Sequence, residues 1–161
     1  MRQLKTYKSK GEYNSLWYWT HTVSPIRVMF NYFFMVLARI SPSLRLKILL
    51  YKAMGIKIGN NVSVGLDVTM DIFFPHLIEI GDNTIIGYHT TILCHEYLQK
   101  EYRIGKVIIG KNVTIGANTT ILPGVKIEDN SVISAHSLVN KDVSGFVGGV
   151  PAKPLDGTDF Y

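Results

Sequence analysis

Histidines and one cysteine carry most of the potential chemistry in the middle of this 161-residue chain. His76, His89 and His95 lie in one short stretch, and Cys94 directly precedes the last of them. A neutral imidazole can accept a proton from an attacking hydroxyl or amine, a thiolate can act as a nucleophile, and three histidines can hold a zinc ion. The sequence therefore permits three kinds of site: a histidine base, a cysteine nucleophile or a three-histidine zinc site. Which of them can form depends on the secondary-structure elements that position these side chains.

A six-residue repeat is the main positioning element. Aliphatic residues recur at every sixth position: Ile109, Ile115, Ile121, Ile127, Ile133 and Val139. Three positions later stand residues that tolerate a positive φ: Asn112, Asn118, Gly124, Asn130, His136 and Asp142. One position further, small residues follow: Val113, Thr119, Val125, Ser131, Ser137 and Val143. Each hexad therefore predicts one short strand and one corner, which is typical of a parallel β-helix.

Earlier hexads follow the same rule with interruptions. Their aliphatic positions are Ile58, Val64, Met70, Ile80, Ile86 and Ile92, and their corner positions are Asn61, Asp67, Phe73, Asn83, His89 and His95. The repeat stops at Glu96, so residues 96–106 are predicted to leave the coil as a protruding loop. With three hexads to a triangular turn, we expect an all-β parallel β-helix of about four turns, in which residues eighteen apart stack.

Composition agrees with one β-helix domain over residues 56–155, after an N-terminal helical segment (1–55) and before a short tail (156–161). The net charge is +5, but the basic residues are scattered along the sequence rather than clustered. Since the sequence also predicts no helix of the kind that recognises DNA bases, no nucleic-acid partner is expected. One cysteine excludes an intramolecular disulfide, and no signal-peptide pattern is visible, so we expect a cytoplasmic protein. The open edges of a short coil favour a homo-oligomer.

The first third of the chain predicts two helices. Ser24-Pro25 and Ser41-Pro42 have the pattern of an N-cap followed by proline, and Gly55 suits a helix C-terminus, which places helices near 25–39 and 42–54. The first helix is apolar on every face but too short to span a bilayer. Two interpretations stay open: it packs against the coil or a neighbouring subunit, or it docks peripherally on a membrane with the aromatic residues 17–19.

Three runs of sequence carry a family resemblance. IGDNTIIG, VIIGKNVTIGANTTILPGVKI and SLVNKDVSGFVGGVPAKPL resemble the hexapeptide-repeat acyltransferases, in particular the maltose, galactoside and sugar O-acetyltransferase branch, over about residues 56–155. The resemblance implies a left-handed coil, a homotrimer with active sites between subunits, acetyl-CoA as the donor, no metal, and direct transfer. Thr114 departs from the pattern, since many sugar acetyltransferases carry a tryptophan there.

His95 is the predicted general base. It stands where the coil stops, and the family places its catalytic histidine immediately before such an excursion. Glu96 orients the imidazole only if the chain turns at His95; otherwise it is a solvated loop carboxylate. The resemblance further implies donor contacts at Ala117, Ala135, Asn140, Lys141 and Lys153. Asp67 and Asp71 are the predicted acceptor-binding residues.

These residues predict an acetyltransferase that moves an acetyl group from acetyl-CoA to a hydroxyl, on a sugar or a glycan. Three alternatives stay open. Cys94 could act as a covalent nucleophile, although adjacent side chains diverge on a strand. His76, His89 and His95 could hold zinc as in γ-type carbonic anhydrases, provided that they converge. A degenerate β-helix could also serve as a scaffold without catalysis.

Overall fold

Most hexads fold as a strand of two or three residues followed by a corner. The computed structural model describes residues 1–157, so residues 158–161 of the predicted tail lie outside the described part. The strands, in chain order, are β1 (Lys5–Lys8), β2 (Lys57–Ile58), β3 (Ser63–Val64), β4 (Thr69–Met70), β5 (Ile78–Ile80), β6 (Ile85–Ile86), β7 (Thr91–Ile92), β8 (His95–Tyr97), β9 (Glu101–Ile104), β10 (Val107–Ile109), β11 (Thr114–Ile115), β12 (Thr120–Ile121), β13 (Lys126–Ile127), β14 (Val132–Ile133), β15 (Leu138–Val139), β16 (Phe146–Gly148) and β17 (Lys153–Pro154).

Three parallel sheets form the walls of the coil. Sheet I contains β2, β5, β10 and β13; sheet II contains β3, β6, β11, β14 and β16; sheet III contains β4, β7, β12 and β15. The final strand β17 turns back and pairs antiparallel with β16. Because Ile115 pairs with Ile133, and Asn112 donates to the Asn130 side chain at 3.2 Å, residues eighteen apart stack as predicted. The hexad aliphatics form the buried core.

Two of the three corners are left-handed in every turn of the coil. All eight residues at the corners after sheets I and II have φ between 55° and 59°: Asn61, Asp67, Asn83, His89, Asn112, Asn118, Asn130 and His136. The corner after sheet III differs, because only Gly124 has a positive φ there, and the predicted corner conformation is wrong for Phe73, His95 and Asp142. The sheet III corner is therefore where the regular path breaks, and His95 lies at it.

The predicted loop at residues 96–106 is a hairpin. Strands β8 and β9 pair antiparallel, and β1 from the N-terminus adds a third strand with Lys5 opposite Ile104. Just before β1, the Gln3 amide donates to the Gly124 carbonyl at 2.8 Å. The sequence did not predict β1, because its partner strand lies almost a hundred residues away in a segment without hexads. The N-terminus thus covers the sheet III corner beside the hairpin.

Two helices cover the first turn of the coil. Helix α1 (Pro25–Ile40) and helix α2 (Leu44–Ala53) lie close to their predicted positions, and Gly55 follows them with φ 99°. The N-cap of α2 is Ser43 rather than Ser41, since the Ser43 hydroxyl accepts from the Leu46 amide. Both helices pack on the edge strands β2, β3 and β4. They therefore close one end of the β-helix.

A buried lysine fastens α2 to this end. Lys47 is 1% exposed, and its ammonium donates to the backbone carbonyls of Val64 and Gly65. Burial lowers the pKa of the Lys47 amine, while the nearby Asp67 carboxylate raises it. The Tyr51 hydroxyl donates to the Val68 carbonyl at 2.8 Å in the same way. These bonds satisfy carbonyls that the edge strand leaves without a neighbouring strand.

Helix α1 buries only one side. Its buried residues are Val28, Asn31, Met35 and Ala38, whereas Ile26 and Met29 are 81% and 72% exposed. No single helix within residues 1–157 is long and apolar enough to cross a membrane. The 3-10 helix Ser15–His21 and α1 together have the length and apolar composition of a membrane span, but the two helices are bent by 104° relative to each other.

Replacing Gly124 tests how the N-terminus is held. A Cβ on Gly124 would lie 2.6 Å from the Gln3 carbonyl oxygen, whereas a Cβ on Gly145, where φ is 70°, would meet nothing within 4 Å. We expect Gly145→Ala to lower the free energy of unfolding by about 1–2 kcal/mol through backbone strain alone. Gly124→Ala should cost about 1–3 kcal/mol more, because the clash adds to the strain. Urea unfolding measures both; equal costs would show that the N-terminus does not depend on this contact.

Candidate active site

His95 is held by a buried carboxylate. Its Nδ1 lies 2.5 Å from Oδ2 of Asp71, whose side chain is fully buried while that of His95 is 17% exposed. Oδ2 also accepts from the Cys94 amide at 2.7 Å, and Oδ1 accepts from the amides of Phe73 and Phe74 at 2.8 Å. Both carboxylate oxygens are therefore satisfied by this chain, and one of their partners is the imidazole.

The irregular segment after β4 produces this arrangement. Asp71 directly follows Met70, and its side chain bonds the amides two and three positions later, as in an Asx turn. Pro75 then begins the 3-10 helix Pro75–Leu77, which leads into β5. The break in the hexad phase therefore replaces a simple corner by a loop wound around one carboxylate.

The carboxylate determines which imidazole nitrogen can react. In a neutral ring whose Nδ1–H donates to Asp71, the Nε2 atom keeps its lone pair. Among residues 1–157 no group forms a hydrogen bond with Nε2. This nitrogen is therefore available to accept a proton from a bound hydroxyl.

Glu96 does not support His95. Its carboxylate lies 2.5 Å from the Arg2 guanidinium and 4.0 Å from that of Arg103. The two residues are neighbours on β8, where successive side chains point to opposite faces. The predicted contact between Glu96 and the imidazole is wrong, and Asp71 makes it instead.

The predicted acceptor-binding residues also lie differently. Asp71 cannot bind an acceptor, since its side chain has no exposed surface and its oxygens are occupied. Asp67 occupies the corner between sheets II and III with φ 56°, and its carboxylate lies 3.4 Å from Arg39. His95 lies at the corner after sheet III, so Asp67 and His95 are not brought together in one chain.

Aromatic rings surround the imidazole. Its centroid lies 4.7 Å from that of Phe73, 5.2 Å from Tyr97 and 6.0 Å from Phe74. Trp19 packs edge-on against Phe73 at 5.6 Å. Burial raises the pKa of the Tyr97 hydroxyl, which lies 2.6 Å from Oγ1 of Thr22. These rings limit the access of water to one side of His95.

The predicted donor residues divide between two corners. Asn140 and Lys141 follow β15 at the corner after sheet III, which is also the corner of His95. Ala117 and Ala135 lie between sheets II and III, and Lys153 lies on β17 beside sheet II. At about 3.3 Å per residue, the two corners are roughly 16 Å apart along one wall. One chain therefore does not gather all five residues around His95.

Cys94 and the other histidines do not form a second site. Cys94 is fully buried, and burial, reinforced by the Asp71 carboxylate, raises the pKa of its thiol well above the ordinary value. His89 lies at the corner after sheet II and pairs with Asn118 at 2.9 Å. In the described part of the chain, no three residues among histidine, cysteine, aspartate and glutamate are grouped to hold a metal.

The pair of Asp71 and His95 was only half visible in the sequence. The end of the six-residue repeat identifies His95 as a candidate, whereas the sequence predicts that Asp71 binds the acceptor. The signal that could have found the pair is the earlier break after Met70, since both interruptions follow sheet III. Interruptions at the same corner of adjacent turns must lie next to each other.

Comparisons with known proteins agree with the hexad pattern. The family described as "Bacterial transferase hexapeptide (six repeats)" matches residues 106–141. The candidate acetyltransferase YvoF of Bacillus subtilis is 53% identical over 156 residues, which cover 95% of this chain and 90% of that protein. Galactoside O-acetyltransferase of Escherichia coli is 38% identical over 110 residues, covering 60% of this chain and 54% of that enzyme.

Solved structures show the same fold. A galactoside acetyltransferase in complex with coenzyme A has a TM-score of 0.64 at 26% identity, covering 82% of this chain and 80% of that one. A hexapeptide-repeat acetyltransferase of Vibrio cholerae has a TM-score of 0.63 at 22% identity, covering 81% and 89%. These similarities imply the left-handed coil that the resemblance predicted. The chain belongs to the hexapeptide-repeat acetyltransferases.

Proposed function

We propose that this protein transfers an acetyl group from acetyl-CoA to a hydroxyl of a sugar or glycan acceptor, with His95 as the general base. The observation that carries this proposal is the hydrogen bond from the imidazole to the buried Asp71 carboxylate, which leaves Nε2 free to react. Family membership supports the acyl transfer, and the galactoside acetyltransferase structure with coenzyme A supports the donor. The name of the Escherichia coli relative supports a sugar hydroxyl as the acceptor.

The mechanism is a direct transfer. Nε2 of His95 accepts the proton of the acceptor hydroxyl as its oxygen attacks the thioester carbonyl, which forms a tetrahedral intermediate. Asp71 holds the ring in the required tautomer and stabilises the imidazolium that results. The intermediate then collapses: the carbon–sulfur bond breaks, the acetyl ester remains on the acceptor, and the departing thiolate takes the proton back from Nε2.

The site requires two copies of the chain. His95, Asn140 and Lys141 would come from one subunit, and its neighbour would contribute Ala117 and Ala135 from the corner between sheets II and III, and Lys153 from β17 beside sheet II. All five predicted donor residues are exposed or half-buried, so a ligand can reach them. A backbone amide beside the small Ala117 can then stabilise the developing oxyanion. A homotrimer, with one site at each of its three interfaces, satisfies this arrangement.

Replacing His95 tests the base. We expect His95→Ala to lower kcat for acetyl transfer by about 10²–10⁴-fold, because the hydroxyl loses its proton acceptor. Asn83→Asp is the control and should keep its rate, since aspartate tolerates the positive φ at the corner between sheets I and II, which holds neither His95 nor the predicted donor residues. Release of the CoA thiol measures both rates over a panel of sugar acceptors. An alanine variant with the full rate would exclude His95 as the base.

Replacing Asp71 tests the orientation of His95. In Asp71→Asn the NH₂ group replaces either Oδ2, where it faces both the Nδ1–H and the Cys94 amide, or Oδ1, where it faces the amides of Phe73 and Phe74. In both orientations the imidazole loses the negative charge that stabilises its protonated form. We expect kcat to fall by about 10²–10⁴-fold while KM for acetyl-CoA changes little. Glu96→Gln is the control and should keep kcat, because its carboxylate pairs with Arg2. A larger loss from Glu96→Gln than from Asp71→Asn would contradict this assignment.

Replacing Cys94 separates direct transfer from a covalent mechanism. The thiol is buried, and the pKa shift caused by burial disfavours the thiolate that a nucleophile requires. We expect Cys94→Ala to keep most of its turnover and to lose about 1 kcal/mol of stability through the small cavity. Thermal unfolding and thiol-release kinetics measure the two effects. Complete loss of turnover in a folded variant would favour the covalent route.

Mixed oligomers test the shared site. His95→Ala removes the base from one face of a subunit, and Ala117→Trp blocks the donor corner on the other. If the site lies between copies, random mixing of the two inactive variants restores about a quarter of the sites. If each chain contained a whole site, every chain in the mixture would stay inactive. Co-expression, followed by the thiol-release assay on the mixed species, distinguishes the two results.

A further inference from the structure

The outer side of α1 is an apolar surface that no part of residues 1–157 covers. Five of its large side chains are more than half exposed: Ile26 (81%), Met29 (72%), Tyr32 (55%), Phe33 (58%) and Ile40 (67%). On this surface a groove of about 500 Å³ is lined by Trp19, Val28, Met29, Tyr32, Phe33, Val36 and Ile72. Contiguous apolar surface of this kind marks a contact with a protein or a membrane.

The chain segment that forms this surface carries basic residues and no acidic ones. From Tyr13 to Leu66 the chain has no aspartate or glutamate, but it has six basic residues: Arg27, Arg39, Arg45, Lys47, Lys52 and Lys57. Arg27, Arg45 and Lys52 are exposed, and within residues 1–157 they form no ion pair. Arg27 also donates to the Met54 carbonyl at 3.2 Å and lies over the Phe30 ring. An apolar helix face together with basic side chains that have no acidic partner is the composition that binds anionic lipid.

The position of the helices leaves this surface free. Both helices lie over the edge strands β2, β3 and β4, at one end of the coil. In an oligomer whose β-helices pack side by side, the subunit contacts would not cover this end. The helix-covered ends of all copies would then be exposed on the same side of the oligomer. The groove also lies close to the candidate active site, since Trp19 in its lining contacts Phe73, and Phe73 contacts His95.

We propose that the exposed face of α1 docks on the surface of an anionic membrane, with a lipid acyl chain in the groove beside Trp19. The helix lies in the plane of the interface, so its apolar side chains leave water while Arg27, Arg45 and Lys52 face the headgroups. Docking in this way places His95, which Phe73 connects to Trp19, near the level of the lipid headgroups. The occupant is lipid rather than a second copy of this chain.

Vesicle cosedimentation with the whole protein tests this inference. We expect strong binding to vesicles of phosphatidylcholine mixed with phosphatidylglycerol, at least about tenfold weaker binding to phosphatidylcholine alone, and a further loss at high salt. Met29→Gln combined with Phe33→Gln should weaken binding to the mixed vesicles by at least about tenfold. Leu98→Gln, an exposed apolar residue at the hairpin tip, is the matched control and should bind as the natural chain does.

Three results would overturn the inference. The first is the absence of binding to the mixed vesicles, and the second is an equal loss of binding in the double variant and in Leu98→Gln. The third is a change of oligomeric state in the double variant by light scattering, which would assign the face to contacts between copies. Acetyl-CoA binding by calorimetry is measured on the same samples. If the natural chain binds acetyl-CoA but not the mixed vesicles, the membrane surface alone is rejected, whereas if the natural chain does not bind acetyl-CoA, the proposed function is rejected instead.

Discussion

A buried carboxylate is the constraint on which the rest of this site depends. An ionised carboxylate away from water costs several kcal/mol unless its oxygens are bonded. Asp71 meets that requirement with three backbone amides and one imidazole. The amides belong to the segments after β4 and after β7, so one side chain joins two adjacent turns of the coil at the corner where neither forms a left-handed bend. The hydrogen bond between His95 Nδ1 and this carboxylate both satisfies the buried oxygen and fixes the orientation of the imidazole.

The regular part of the fold follows from local chemistry. Asparagine, aspartate and histidine adopt a positive φ more readily than most residues, so a period of six in such residues predicts left-handed corners, and eight of these have φ between 55° and 59°. The wrong predictions of corner conformation all lie after sheet III. There Phe73 and His95 stand in the expected phase, but their backbones are held by contacts to Asp71 and to the hairpin, which six-residue periodicity does not encode.

The carboxylate that contacts the His95 imidazole is also wrongly predicted, because closeness in sequence does not imply closeness in space. Glu96 is adjacent to His95 in sequence, and adjacency favoured it, yet side chains alternate along β8 and turn the two apart. Asp71 is distant in sequence but one turn away in space. Strand β1 was missed in the same way, because it is defined by a partner at Glu101–Ile104 rather than by its own pattern. Helices α1 and α2, whose boundaries depend on local proline and glycine signals, were predicted closely.

The proposed mechanism depends on which nitrogen of the His95 imidazole carries the proton. Histidine labelled with ¹⁵N and observed through two-bond couplings distinguishes a ring protonated on Nδ1 from one protonated on Nε2, and His95→Ala assigns the signal. At a pH where the ring is neutral, the hydrogen bond to Asp71 predicts a proton on Nδ1 and a free lone pair on Nε2. A neutral ring with its proton on Nε2 would contradict the mechanism, because His95 could then donate a proton to the acceptor hydroxyl but not remove one.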